Sequence, residues 1–228
     1  MTSLALAGCG VLGLSITGSG QTVTKDYDVS GFSRIAVGNA FQVEIKQGPE
    51  HKVAVTVDDN LLEYLDVTTS GETLRIRMQP NLNVRNGTLK AAITLPDLTG
   101  LDLSGATHTT VSGFSSDKPL EVEVSGASRL RGEIKSGDAR YEVSGASNID
   151  LQGSAGSLDV SASGASEANF EKCSSSNIVA HASGASHITV TANGNLEADA
   201  SGASSVRYAG EPAKLRTNAS GASSVRRK

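Results

Sequence analysis

Leu120-Glu121-Val122-Glu123-Val124-Ser125-Gly126-Ala127-Ser128-Arg129-Leu130 is the stretch on which the fold turns. Leu120, Val122 and Val124 alternate with two glutamates, which is the pattern of a strand with one buried face. Four small residues follow, and Leu130 reopens an apolar file on the other side of them. Ser-Gly-Ala-Ser is therefore a corner between two strands that share a core. Gly permits backbone angles that other residues resist. Ala adds little bulk, and serine hydroxyls are expected to pass hydrogen bonds along a column.

The corner returns at Ser144, Ser163, Ser183, Ser201 and Ser220, with a near copy, Ser104-Gly105-Ala106-Thr107, upstream. Successive intervals from Ser104 are 21, 19, 19, 20, 18 and 19 residues. A period near 20 marks a stacked architecture, so Gly105, Gly126, Gly145, Gly164, Gly184, Gly202 and Gly221 are expected to form one column. Each second strand is followed by a variable, Gly- and Ser-rich stretch such as Gln152 to Ser157, which reads as a short third side. The expected fold is all-β: a right-handed parallel β-helix with coils of about 19 residues. Seven corners at about 4.8 Å give a rod of about 34 Å.

Composition agrees with a narrow solenoid. Trp is absent, aromatics are 4% and Gly numbers 25, so the core must be filled by aliphatic stacks. The net charge of −4 leaves no nucleic-acid footprint. No run of 18 apolar residues appears, so no membrane-spanning helix is expected.

Residues 1–20 carry no acid, base or proline and include Leu6-Ala7-Gly8-Cys9, the form of a bacterial lipobox. They are assigned to an export leader and linker, with Cys9 the candidate for lipid attachment, and are expected to lie outside the fold. Residues 21–228 are then a single β-helix domain, irregular over 21–100 and regular over 101–228. Gln21 to Ser33 reads as a polar lead-in. Ile35 to Ile45 repeats the two-strand grammar around Gly38-Asn39-Ala40. A short helical turn is expected after Asp58-Asp59-Asn60, and a turn at Thr69-Ser70-Gly71-Glu72. The irregular part is expected to cap one end. The other end shows no cap after Ala222, so an exposed edge open to self-association is expected there.

The chemistry is sparse. No base recurs beside the corner serines, so they read as structural. His108 and His187 take the same place in their repeats but lie about 19 Å apart, too far to share an ion. His51 and His181 fit no ligand spacing. Cys173 reads as a small buried hydrophobe. Asp102, Glu123 and Glu142 stand two residues before successive corners, an outward acidic ladder. The second strands carry Arg129, Arg131, Arg207 and Arg226, so one face is expected to be acidic and the next mildly basic. The ladder is a candidate face for a partner or a weakly held cation. Its carboxylate spacing also keeps open a glycan-cleaving enzyme. No catalytic residue, metal site or cofactor is assigned.

The repeated Val-Ser-Gly-Ala-Ser columns, Val37 to Ile45 and the Leu6-Ala7-Gly8-Cys9 leader together resemble the head GIN domain family of bacterial adhesin-like proteins. The resemblance covers about Phe32 to Arg226. It implies a right-handed β-helix exported to the periplasm or cell surface, and it carries over no catalytic residues. The expected function is an exported, non-enzymatic envelope module whose repeated faces bind surface polysaccharide or an envelope protein. Membrane contact is expected only through a lipid anchor. The alternatives are a β-helical polysaccharide-active enzyme and a self-associating envelope scaffold.

Overall fold

The computed structural model describes residues 14–228, so Cys9 lies outside the described residues. In chain order the strands begin with β1 (Leu14–Thr17), β2 (Thr22–Tyr27), β3 (Arg34–Val37), β4 (Gln42–Gln47) and β5 (Lys52–Asp58). A 3-10 helix, Asp59–Tyr64, leads into β6 (Leu65–Ser70), β7 (Thr73–Met78), β8 (Leu82–Arg85) and β9 (Leu89–Leu95). The regular series opens with β10 (Gly100–Leu103), β11 (His108–Ser115), β12 (Leu120–Val124) and β13 (Arg129–Ser136). It continues as β14 (Ala139–Val143), β15 (Asn148–Ala155), β16 (Ser157–Ala162) and β17 (Glu167–Ala182). The last strands are β18 (His187–Ala200), β19 (Ser205–Ala209), β20 (Lys214–Ala219) and β21 (Ser224–Arg227).

The strands form a β-solenoid of about 6 turns with coils of about 20 residues. One face is the parallel ladder of β3, β10, β12, β14, β16, the ends of β17 and β18, and β20. The second face runs β4, β11, β13, β15, the starts of β17 and β18, then β19 and β21. Leu120, Val122, Val124 and Leu130 are buried as their alternation requires, and Phe170 and Tyr141 pack at 4.6 Å between centroids inside the rod. Cys173 is buried in the same region, and that burial pushes its thiol up to about 11.

The corner column forms as expected. The Gly126, Gly145 and Gly164 φ angles are 76°, 74° and 73°. A Cβ on any of these would strike the glycine carbonyl of the preceding coil. The column is tied by backbone bonds: Ala127, Ala146 and Ala165 amides donate to Gly105, Gly126 and Gly145 carbonyls at 2.7, 2.7 and 2.8 Å.

The serines pass hydrogen bonds along the column, but with backbone groups of the neighbouring coil and not from hydroxyl to hydroxyl. Only the fourth residue of each corner turns inward, as with buried Ser166, Ser186 and Ser204. Ser186 Oγ donates to Ala162 O at 3.0 Å, one coil back, and Ser166 Oγ donates to Ser163 O in its own corner at 2.8 Å. Ala162 O also accepts the Ser183 amide at 2.9 Å, so the hydroxyl fills the carbonyl's second lone pair.

The N-terminal part departs further from simple stacking. β7 and β9 lie on the outer side of β3 and β4, while β10 and β11 lie on the inner side. The first copy of the repeat is thus sandwiched, not terminal. Its corner places Asn39 at φ 65°, beneath Gly105, and Asn39 Oδ1 accepts the Met78 amide at 2.9 Å. Asn tolerates the left-handed region that Gly fills elsewhere. The outermost strands are antiparallel: β6 on β7, β5 on β9 and β2 on β5. Thr22–Tyr27 is therefore an edge strand, where a polar lead-in was expected. Leu14–Thr17 likewise belongs to the folded structure, pairing with β8. The turn after Asp58 and the turn at Gly71 both form.

Candidate functional site

Parallel stacking converts sequence spacing into files of like positions. On the first face one outward file reads Asp102, Glu123, Glu142, Ser161, His181, Asp199, Asn218. The file beside it reads Arg34, Gly100, Glu121, Arg140, Asp159, Val179, Glu197, Arg216. Asp102, Glu123 and Glu142 are brought together in register. Among the described residues, no three His, Cys, Asp or Glu side chains converge to hold a metal ion.

Arginines interleave this face. Arg140 donates to Glu142 through Nε at 3.1 Å and Nη2 at 2.9 Å. Arg34 reaches Glu121 at 3.1 Å by lying across Gly100, where a Cβ would meet the guanidinium at 2.5 Å. Arg216 pairs with Glu197 at 3.3 Å. Partial burial pushes the Asp102 carboxyl above its ordinary range, while the Arg75 guanidinium pulls it back. These exposed pairs each contribute about 0–1 kcal/mol, so they set the charge pattern more than the stability.

Between the Glu142 file and the first serine of each corner runs a groove of about 410 Å³. One wall offers Ser144, Ser163, Ser183 and Ser201, one hydroxyl per coil. The other offers Glu142, Ser161, His181 and Asp199. Ser161, His181 and Asp199 stand in adjacent register positions, an arrangement the sequence spacing hides because the three are about 20 residues apart. His181 Nδ1 lies 3.3 Å from Asp199 Oδ2, with His181 exposed and Asp199 half-buried. Among the described residues no serine hydroxyl hydrogen-bonds His181. The groove therefore repeats equivalent polar groups along its length instead of converging them on one reacting atom.

The remaining histidines are dispersed. His51 Nε2 bonds the Phe32 carbonyl at 2.8 Å and its ring packs edge-on to Phe32. His108 and His187 are separated by Arg129, Asn148 and Glu167 in one file of the second face. That face also holds Arg207 and Arg226 in register. No helix among the described residues is long and apolar enough to cross a membrane.

Residues 31–212 match the family described as "Putative auto-transporter adhesin, head GIN domain". A crystal structure described as a "putative adhesin" from Bacteroides fragilis superposes with a TM-score of 0.88 at 20% identity, covering 93% of this chain and 100% of that one. A "putative adhesin" from Parabacteroides merdae gives 0.69 at 19% identity, covering 94% and 99%. A "putative lipid binding protein" from Parabacteroides distasonis gives 0.69 at 21%, covering 94% and 99%. At these identities the likeness is one of fold. No curated protein matches the chain.

Proposed function

The chain belongs to the head GIN domain family, and from that premise we propose that it is an exported, non-enzymatic module of the bacterial envelope. It presents its solenoid faces to surface polysaccharide or to an envelope protein. The carrying observation is the first-face groove, in which a hydroxyl recurs on every coil opposite Glu142, His181 and Asp199. A straight file of equivalent groups suits an extended polymer, which presents its own chemistry at regular intervals, and charged faces keep such a rod dispersed. The adhesin names of structural relatives point the same way. Cys9 is assigned the lipid anchor.

The test is a glycan and envelope-protein binding screen on the full chain, with Glu123→Lys/Glu142→Lys alongside. Specific binding that falls at least tenfold in the double variant supports the reading. Turnover of any screened polymer by the wild-type protein overturns it. Intact mass of membrane-extracted protein decides the anchor, since an unmodified Cys9 in the mature chain excludes it.

A further inference from the structure

A second concave surface, on the opposite side of the corner column, holds a trough of about 720 Å³, within the size range of small-molecule sites. It forms where the parallel ladder gives way to antiparallel strands. Ala92 on β9 faces Ala54 on β5, and Glu44 on β4 is in register with Ala92. Two methyl groups beside longer side chains leave a shallow apolar floor. Along it runs a row of polar groups, one per strand: His108, Gln42, Lys90, Thr56 and Thr24. With strands about 4.8 Å apart, the row spans about 19 Å.

The charges select the ligand. Glu44 is held by Lys46 at 3.0 Å. Lys90, central in the row, has no carboxylate within salt-bridge distance among the described residues. Asp26, in register with Ala54 on the far strand, does not line the trough. Thr24 and Thr56 hydroxyls are bonded to each other at 2.7 Å and retain further donor and acceptor capacity.

We propose that this trough binds an acidic oligosaccharide, a chain containing uronic acid. A sugar ring has an apolar C–H face and a rim of hydroxyls. The alanine floor receives the first, while the Gln42 amide and the threonine hydroxyls, which both donate and accept, receive the second. A ring carboxylate meets the Lys90 ammonium in a charge-assisted bond. This goes beyond the reading of the first-face groove and uses no residue of it.

Fluorescence anisotropy of the full chain with labelled oligogalacturonate and alginate oligomers tests the assignment, with carboxyl-reduced oligomers for comparison. The wild-type chain is expected to bind an acidic oligomer at least tenfold more tightly than its reduced form. Lys90→Gln is expected to weaken binding at least tenfold, Ala92→Trp to abolish it, and Lys135→Gln, near the end of β13 and outside the trough lining, to leave it unchanged. Thermal melts accompany Ala92→Trp, and Lys90→Gln carries the test if that variant fails to fold. The proposal is overturned if no acidic oligomer binds, or if Lys90→Gln leaves affinity unchanged. Loss in Glu123→Lys/Glu142→Lys with none in Lys90→Gln would also overturn it, placing the ligand in the first-face groove and leaving the proposed function standing.

Discussion

The amide of Ala146 donates to the carbonyl of Gly126 at 2.7 Å, although the two residues belong to successive coils. That bond requires the Gly145 backbone to sit directly against Gly126, with φ at 74° and no side chain between them. Gly145→Ala is expected to destabilise the fold by about 3 kcal/mol or more, combining left-handed strain with a backbone clash. Chemical denaturation measures it. A loss below 1 kcal/mol on that scale would mean that the column is looser than described.

The corner serines divide into two classes. Ser186 is buried with its hydroxyl on Ala162 O, whereas Ser183 lies on the groove wall. Ser186→Ala is expected to cost about 1 kcal/mol by removing one buried hydrogen bond, although Ala162 O keeps the Ser183 amide at 2.9 Å. Ser183→Ala is expected to fall within about 0.5 kcal/mol of wild type. Equal effects in paired denaturation curves would refute the distinction.

Asp102 gives the fold a pH signature of definite sign. Its carboxyl is raised by partial burial, so the folded state holds a proton more readily than the unfolded chain. The penalty from its ionisation is absent below the ordinary carboxylate pKa and complete once pH exceeds the raised folded value. Asp102→Asn is therefore expected to be more stable than wild type at pH 7, with the difference vanishing near pH 3. Melting temperatures across that range check it. A difference that grew on acidification would reverse the assignment.

The regular coils were legible because each one spends the same residue types at the same offsets. Leu120, Leu158 and Leu196 mark one inward file, and Gly126, Gly145 and Gly164 mark the corner. The N-terminal arrangement had no such signal. What places β10 on β3 is a pairing across the whole of residues 38–99, and long-range register leaves no local periodicity. For the same reason Arg34 could not be seen as the partner of Glu121, nor Gly100 as the gap that lets it reach. The acidic ladder was readable, and the first face stays acidic on balance, with Arg34, Arg140 and Arg216 interleaved among more numerous carboxylates. Ser161, His181 and Asp199 were each visible and never adjacent until the coils stacked. β2 escaped notice because an edge strand buries too little to betray its alternation: only Val23 and Tyr27 are half-buried within it.

The position of β3 and β4 between two flanking coils has a consequence for assembly. A solenoid that simply followed the chain would grow from its first repeat toward its last, like a thread wound on a spool. Here the earliest repeat has a neighbour on each side: β7 and β9 cover one flank, and β10 and β11 the other. In a chain that emerges N-terminus first, β3 and β4 therefore lack their outer neighbours until residues through Leu95 are available, and their inner neighbours until β11 follows.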